Sequence, residues 1–215
     1  MPFDACGDCL KVLLYGFGPF LDLKENPSER VVRALDGKKV KGNEVVGIVL
    51  PVEYGRAASL LSAKMREIGP GLVLGTGAYR SFPKLGVTKL AANFKFTLEK
   101  DNAGESPKGE RIVEGGPDGI FMNIDSEGLV AHLNAAGVPA MLILSAPDAY
   151  VCNLSMFVVA AQSRKDGFRC GFIHLPLTEE FVSKNPSIVS ASMGLSTMLR
   201  GVEAAIGYCA AAHRG

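Results

Sequence analysis

Apolar residues along this chain follow two alternating patterns, short continuous runs and runs with helical spacing. The continuous runs are closed by glycine or proline and predict buried strands at residues 11–16, 44–52, 72–75, 139–146 and 169–176. Helices are predicted from Pro27, after an Asn26 cap, and at residues 54–68, 119–136, 151–164 and 187–212. Residues 87–98 predict one or two further strands, and the polar, glycine-rich stretch 101–116 predicts a long loop or an irregular hairpin.

The alternation of strands with helices predicts an α/β fold, because helices that connect parallel strands cover the faces of the sheet. We expect a single-domain three-layer α/β/α sandwich with a mostly parallel mixed sheet, formed by residues 1–215. The sequence contains no repeat, low-complexity tract or linker that would divide it. Functional sites in such sheets collect at the carboxyl ends of strands. The loops after Tyr15, Leu74, Leu144 and Ile173 are therefore the expected places.

Composition and charge are those of an ordinary globular domain. Hydrophobic residues make up 47% of the chain, and Lys+Arg 23 against Asp+Glu 22 gives a formal net charge of +1. This balance gives no electrostatic reason to expect nucleic acid or an anionic membrane as partner. No apolar run approaches the roughly 18–20 residues that a membrane span needs, and the N-terminus lacks a signal-peptide pattern. With an odd number of cysteines, we expect a reduced, cytoplasmic protein.

Cysteines near the two termini have the spacing of metal ligands. Cys6, Cys9, Cys209 and His213 would supply a C-x2-C and a C-x3-H pair for zinc if the termini met. The simpler interpretation is a loose N-terminal arm and a C-terminal helix, with no bound metal. A thioredoxin-like redox pair follows a strand and opens a helix, whereas the pair of Cys6 and Cys9 precedes the first strand.

Cys152 and His174 are the candidate nucleophile and base. Cys152 lies in the first turn of a predicted helix, where unpaired N–H groups and the helix dipole favour a thiolate and could hold an oxyanion. His174 ends the strand that follows this helix, and successive strands of β-α-β units usually lie side by side or nearly so. Each residue alone has a structural alternative, a buried thiol or a core histidine. Together they are the minimum for an activated thiol nucleophile.

Two phenylalanines in a loop predict an apolar pocket. Phe17 and Phe20 belong to the stretch GFGPF, and a loop rich in glycine and proline has little core of its own to bury them. The alternative is that one of them plugs the domain. The G-x-G pairs in GFGPF and LGTGAYRS lack the spacing and the later acidic residue of a dinucleotide site, so nucleotide binding is not expected.

Several longer motifs occur in order along the chain. They are GFGPF … NPS at residues 16–20 and 26–28, LPVEY at 50–54, DN at 101–102, GGP at 115–117, VCN at 151–153 and GFIHLP at 171–176. In this order they resemble the pyroglutamyl peptidase I family of cysteine peptidases, also called pyrrolidone-carboxylate peptidases. The similarity spans nearly the whole chain.

The resemblance implies a hydrolase that removes an N-terminal pyroglutamyl (5-oxoproline) residue from peptides through a thioester acyl-enzyme. Cys152 then corresponds to the family's nucleophile and His174 to its base and acid. The positions that correspond to its lactam pocket are Phe17, Phe20, Asn26, Thr76 (through its backbone), Tyr150 and Val151. A small flat lactam suits an aromatic slot. The resemblance also implies that no cofactor is needed and that the assembly is a homo-oligomer, often a tetramer.

One position departs from the family pattern. The family's third catalytic residue is a glutamate that orients the histidine, and Thr88 stands at the corresponding position. A hydroxyl can accept a hydrogen bond from the imidazole but cannot stabilise an imidazolium as a carboxylate does. Three alternatives follow. Thr88 or water supports the histidine, a carboxylate such as Glu99 or Asp148 takes that place, or the chain is a weak or inactive relative that binds N-terminally blocked peptides. A nucleoside-phosphorylase-like enzyme of similar architecture is a weaker alternative.

Overall fold

The computed structural model describes residues 9–21, 23–146 and 148–211 of the chain. The strands are β1 (Lys11–Phe17), β2 (Lys39–Val40), β3 (Asn43–Leu50), β4 (Leu72–Ala78), β5 (Leu85–Ala92), β6 (Lys95–Phe96), β7 (Lys108–Glu110), β8 (Gly119–Phe121), β9 (Ala140–Ser145), β10 (Arg169–Leu175), β11 (Leu177–Thr178) and β12 (Ser192–Met193). The helices are α1 (Pro27–Leu35), α2 (Tyr54–Ile68), α3 (Ser126–Ala135), α4 (Val151–Asp166), α5 (Glu179–Lys184) and α6 (Leu195–Ala211). Not one of these described helices has both the length and the apolar character that crossing a membrane requires.

An eight-stranded mixed sheet forms the centre of the fold and confirms the predicted α/β class. β3, β1, β4 and β10 lie side by side and parallel, so their carboxyl ends meet at one edge. β5 continues the sheet antiparallel to β10, with Thr88 opposite Phe172 and Gly86 opposite His174. β9 pairs in parallel with β5, and β2 and β8 add antiparallel pairs.

The sequence analysis expected Cys152 and His174 to meet because the strands before and after α4 would lie side by side or nearly so. The positions of these strands, β9 and β10, correct that expectation. β5 lies between these two strands. Because β5 is antiparallel to β10 but parallel to β9, β9 and β10 run in opposite directions, and their carboxyl ends do not meet. Helix α4 packs on β4, β5 and β10 instead, and this packing carries its first turn to the end of β10.

Helices cover the sheet in two groups whose members contact each other, α2 with α4, and α6 with both α1 and α3. The start of α1 follows the sequence-based prediction, because the Asn26 side chain accepts the Ser28 N–H and caps the first turn. The core between these layers includes Tyr15, Phe157 and Phe172, all fully buried. Large apolar side chains on both sheet faces thus hold the three layers together.

Two predicted helices begin later than the sequence pattern suggested. Residues 119–136 were expected to form one helix, but their first part is β8. The helix α3 starts only after Asp125, whose side chain accepts the Gly128 N–H. Residues 187–212 likewise contain β12 before α6 begins at Leu195. The short helix α5 was not predicted. A β6–β7 ribbon spans residues 95–110, so the irregular hairpin expected at residues 101–116 begins and ends earlier in the chain.

Candidate active site

The carboxyl ends of the four parallel strands open into a cavity of about 260 Å³. Val52 follows β3, Phe17 ends β1, Ala78 ends β4, and His174 lies next to the end of β10. Cys152, in the first turn of α4, completes this part of the lining. The cavity therefore lies where open α/β sheets usually place their sites.

Hydrogen bonds within residues 16–28 hold the loop after β1 against the cavity. The Phe17 N–H donates to Ser28 Oγ at 2.9 Å, and the Asn26 amide donates to the Gly18 carbonyl at 3.0 Å. Ser28 Oγ donates to Asn26 Oδ1 at 2.7 Å. A Cβ on Gly16 would lie 2.8 Å from the Ser28 carbonyl oxygen, so this close approach requires glycine. The sequence analysis placed both phenylalanines in this loop, but Phe17 is the last residue of β1, paired with Leu50 of β3 and 2% exposed, so only Phe20 is presented from the loop.

Aromatic rings form one wall of the cavity. Phe20 and Tyr150 pack with ring centroids 6.2 Å apart, and Tyr54 meets Tyr150 edge-on at 5.7 Å. The Tyr150 hydroxyl donates to the Lys100 carbonyl and the Tyr54 hydroxyl to the Ala149 carbonyl, each at 3.2 Å. Because both hydroxyl groups are engaged, the rings are held in position and leave an apolar surface for a ligand.

Asn153, the last residue of the VCN motif, anchors the start of α4 beside Cys152. Its buried side chain accepts the Ala92 N–H and donates to the carbonyls of Ala92 and Phe94, each at 2.9 Å. These three hydrogen bonds tie the helix to the end of β5. The motif therefore holds a structural residue next to the candidate nucleophile, a role that the sequence analysis did not assign.

Gly77 of β4 leaves the space that the Cys152 thiol occupies. A Cβ on Gly77 would lie 2.8 Å from Cys152 Sγ and 2.9 Å from the ring of Phe172. In the register of β4 and β10, Gly77 pairs with His174. The thiol therefore lies over the strand position next to the histidine, and both side chains line the same cavity.

The surroundings of Cys152 raise the pKa of its thiol above the ordinary value of 9.0. Burial is the larger cause, and the carboxylate of Asp148 is the second. The sequence predicted the opposite, a thiolate favoured by the helix N-terminus, but burial outweighs that contribution. Burial also raises the pKa of Asp148, although the Tyr150 N–H opposes this by donating to its carboxylate. The resting thiol is therefore protonated at neutral pH.

His174 is buried among aromatic rings. The ring centroids of Phe172, Tyr79 and Phe82 lie 4.8, 5.9 and 6.0 Å from that of the imidazole. Burial in these apolar surroundings lowers the pKa of His174 from 6.5 to about 3. The imidazole is therefore neutral at neutral pH, with one nitrogen able to accept a proton.

Thr88 lies beside one ring nitrogen of this histidine. Thr88 Oγ1 is 2.9 Å from His174 Nδ1, and both side chains are buried. The position at which the family resemblance leads one to expect a glutamate thus carries a hydroxyl that contacts the imidazole. Within the part of the chain that the structure describes, neither Glu99 nor Asp148 makes a hydrogen bond to His174.

The cavity brings together all but one of the site residues predicted from the sequence. Those that line it are Phe17, Phe20, Asn26, Tyr150, Val151, Cys152 and His174. Thr76 is not among its lining residues, because its side chain is buried within β4 and donates to the Tyr15 carbonyl at 3.0 Å. Leu23, Val52, Tyr79 and Ser81 line the cavity without having been predicted. Tyr79 directly follows β4 and Val52 lies two residues after the end of β3, so the strand-end rule could have found them.

The candidate zinc ligands are only partly within the described structure. Cys6 and His213 lie outside the described residues, Cys9 is exposed, and Cys209 is buried in α6. Among residues 9–21, 23–146 and 148–211, no cluster of three histidine, cysteine or acidic side chains is placed to hold a metal ion.

Known sequences resemble this chain over almost its whole length. A sequence profile of the family described as pyroglutamyl peptidase matches residues 10–212. A pyrrolidone-carboxylate peptidase from Saccharolobus islandicus is 45% identical over 193 residues, which cover 90% of this chain and 91% of that protein. A protein of the same name from Cupriavidus pinatubonensis is 35% identical over 198 residues, covering 91% and 90% of the two chains.

Solved structures show the same fold. Pyrrolidone carboxyl peptidase from Thermococcus litoralis superposes with a TM-score of 0.91 at 29% sequence identity, covering 95% of each chain. The enzyme of that name from Pyrococcus furiosus superposes with a TM-score of 0.88 at 30% identity, covering 93% of this chain and 97% of the other. These likenesses confirm the resemblance that the ordered motifs suggested. The chain therefore belongs to the pyroglutamyl peptidase family.

Proposed function

We propose that Cys152 is the nucleophile, and His174 the general base and acid, with which this chain removes N-terminal pyroglutamyl residues from peptides. The chain belongs to a family of cysteine peptidases with that activity, and this favours an enzyme over a non-catalytic binding protein. One observation carries the residue assignment. Both side chains line a single aromatic cavity, in which Gly77 leaves the space for the thiol.

Acylation begins with proton transfer from the Cys152 thiol to Nε2 of His174 while sulfur attacks the pyroglutamyl carbonyl carbon. The carbon–sulfur bond forms and the carbonyl oxygen becomes an oxyanion. The first helical hydrogen bond of α4 runs from the Leu154 N–H to the Tyr150 carbonyl, so the N–H groups of Cys152 and Asn153 precede the helical ladder and can stabilise that charge. The imidazolium then protonates the leaving amine, the carbon–nitrogen bond breaks, and a thioester remains.

Hydrolysis of the thioester completes the cycle. His174 removes a proton from water as the water oxygen attacks the acyl carbon. The carbon–sulfur bond then breaks, the sulfur regains the proton from the imidazolium, and free pyroglutamate leaves. A histidine that is neutral at rest can act as base in both steps, since the thiol and the water are each protonated when they enter.

The lactam ring is proposed to bind in the aromatic part of the cavity. Phe17, Phe20, Tyr150 and Val151 supply apolar walls, and a cavity of about 260 Å³ has room for a five-membered ring. Asn26 contributes by fixing the loop that carries Phe20. Any contact from Thr76 would have to come from its backbone, because its hydroxyl donates to the Tyr15 carbonyl.

A reducing compartment, the cytoplasm, is the proposed site of action. The reaction requires Cys152 as a thiol, and Cys152, Cys170 and Cys209 are all unpaired thiols in the structure. Structural disulfides are rare in the cytosol because glutathione and thioredoxin keep thiols reduced. In the reducing cytoplasm the Cys152 thiol would stay unoxidised and able to react as a nucleophile.

The chain is proposed to form a homo-oligomer. The family resemblance implies a tetramer. Phe121 on β8 and Leu144 on β9 are 56% and 66% exposed. Apolar side chains exposed on sheet strands favour burial against another surface. The central sheet contains strands from both halves of the described chain, β1 and β10 among them, and this supports the assignment of the whole chain to a single domain.

Turnover of a pyroglutamyl-aminocoumarin substrate tests this assignment. Wild-type protein should release the fluorophore, and Cys152→Ala should abolish release while the circular dichroism spectrum stays unchanged. Cys170→Ala is the matched control, since Cys170 is a buried thiol on β10 that does not line the cavity. Substantial activity in Cys152→Ala, or saturable binding without turnover by folded wild-type protein, would rule the assignment out.

A further inference from the structure

We propose that Thr88 is a positioning residue of this active site, whose hydroxyl oxygen accepts the Nδ1–H of His174 and thereby leaves Nε2 free to take the thiol proton of Cys152. The proposal rests on the function proposed above. It assigns to a neutral hydroxyl the task of orienting the histidine, for which a carboxylate was expected from the sequence. The arrangement needs no negative charge behind the imidazole.

The sheet register places Thr88 behind the histidine. On the antiparallel pair of β5 and β10, Thr88 lies opposite Phe172, and His174 is two residues further along β10. Residues two apart on a strand point to the same face, so Thr88 and His174 form a diagonal cross-strand pair. Their contact, Oγ1 to Nδ1, is 2.9 Å, with side chains 0% and 2% exposed. Burial keeps water from replacing this hydrogen bond.

The chemistry of the reaction determines which partner donates. Neutral imidazole carries one proton, and the nitrogen without it is the only one that can act as base. If Thr88 donated to Nδ1, the proton would lie on Nε2 and the ring could not deprotonate a thiol from that side. Catalysis therefore requires that Nδ1–H donates to Thr88 Oγ1. Fixing this tautomer is the part of an orienting carboxylate's role that a hydroxyl can perform.

An orienting carboxylate also stabilises the imidazolium, and the neutral hydroxyl of Thr88 does not do this. The titratable or charged groups that line the cavity with His174 are Cys152 of α4, Tyr79 and Arg80 after β4, and Asp148 and Tyr150 before α4. No carboxylate among the described residues contacts the imidazole. The pair of Cys152 and His174 accordingly rests as thiol and neutral imidazole, in agreement with the directions of their pKa shifts. The imidazolium exists only during turnover.

Nitrogen NMR of the resting protein reads the tautomer directly. In uniformly 15N-labelled wild-type protein, with His174→Gln used to assign the signals, Nδ1 should be protonated and Nε2 should show the shift of an unprotonated nitrogen. Thr88→Val keeps the side-chain shape but removes the acceptor, and it should give a mixture of the two tautomers. Thr88→Ser restores the hydroxyl and should restore the single tautomer.

Kinetics supply the second measurement. Thr88→Val should lower kcat about 10-fold to 100-fold with little change in KM, because the hydroxyl orients the base without touching the substrate. Thr88→Ser should recover kcat to within about 3-fold of wild type. A structural role alone would lower thermal stability in Thr88→Val without changing the tautomer or the ratio of kcat to KM.

Three outcomes would overturn the proposal. They are an unprotonated Nδ1 in the wild-type protein, wild-type kcat in folded Thr88→Val, and failure of Thr88→Ser to restore a single tautomer. If Thr88→Val does not fold, the wild-type tautomer and the serine variant still decide. These results stand apart from the nucleophile assignment, since the resting tautomer is measured without substrate and the nucleophile is tested by Cys152→Ala.

Discussion

Gly77 and Cys152 share one space at the edge of the sheet, since a Cβ on Gly77 would lie 2.8 Å from the cysteine sulfur. The ring of Phe172 closes the same space at 2.9 Å. Contacts this short cannot be relieved by the buried ring alone, so the thiol would have to move. The proposed nucleophile is therefore positioned by the absence of a side chain on the strand next to His174.

Gly77→Ala should displace the thiol and lower kcat about 10-fold to 100-fold, because a misplacement of about 1 Å at the reacting atoms costs rates of that order. Its overpacking should also reduce the free energy of unfolding by about 1–3 kcal/mol. Gly55→Ala is the matched control, since a Cβ there meets nothing within 4 Å. Steady-state kinetics and urea unfolding of both variants give the comparison, and equal activities would contradict this account of Gly77.

The buried imidazole of His174 should make the stability of the fold depend on pH. Burial lowers its pKa from 6.5 to about 3, so the folded state resists protonation that the unfolded state accepts. The resulting stabilisation is fully present above pH 6.5 and is lost as the pH falls towards 3, at about 1.4 kcal/mol per pH unit. It should therefore decrease by about 2 kcal/mol between pH 7 and pH 5.

Urea unfolding of wild-type and His174→Gln proteins at both pH values measures this effect. Other titrating groups are common to the two proteins, so their contributions cancel in the difference between the two free energies of unfolding. Between pH 7 and pH 5, the free energy of unfolding of the wild type should fall by about 2 kcal/mol more than that of His174→Gln. A difference that does not change with pH would show that the imidazole is not held neutral by burial.

Asp148 should slow alkylation of Cys152. Its negative charge is the second cause, after burial, of the raised thiol pKa. Asp148→Asn should lower that pKa and speed the reaction with iodoacetamide at pH 8, because a larger fraction of the thiol is then ionised. Asp166→Asn, at the other end of α4, is the control and should leave the rate unchanged. A slower reaction in Asp148→Asn would refute the electrostatic effect.

Asn153 should contribute to both stability and activity. It is 1% exposed and makes hydrogen bonds to Ala92 and Phe94, so Asn153→Ala leaves buried backbone groups unpaired and should cost about 2–4 kcal/mol. Because it anchors the helix that carries Cys152, kcat should fall as well. Asn134→Ala also removes three side-chain hydrogen bonds to the backbone, but from an exposed residue that does not line the cavity. It should lower stability alone, and a matching loss of kcat would contradict the anchoring role.

The strands and their layer order could be predicted because each buried strand is a short apolar run closed by a turn residue. The four parallel strands that form the cavity all belong to this class. β8 and α3 could not be separated in the same way, since the apolar spacing of residues 119–136 fits a helix throughout. Only the capping carboxylate of Asp125 marks where the helix begins, and a local side-chain hydrogen bond is easily overlooked in a periodic pattern.

Which residues line the candidate site could largely be predicted, but the geometry that joins them could not. Cys152, His174 and the phenylalanines were recognised from motifs, and the cavity brings them together. The antiparallel insertion of β5 between β9 and β10 could not be predicted, because strand order depends on long-range pairing. That insertion places Thr88 against the imidazole. The raised pKa of Cys152 also depends on tertiary burial, which the helix-terminus argument cannot include.

An affinity label tests the central claim, that Cys152 is the nucleophile of a pyroglutamyl pocket. The wild-type protein is treated with pyroglutamyl chloromethyl ketone until activity is lost, and the modified residue is located by peptide mass spectrometry. The account predicts one equivalent of label on Cys152, none on Cys170, and protection by free pyroglutamate. Label on another residue at complete inactivation, or full activity with Cys152 completely labelled, would contradict it.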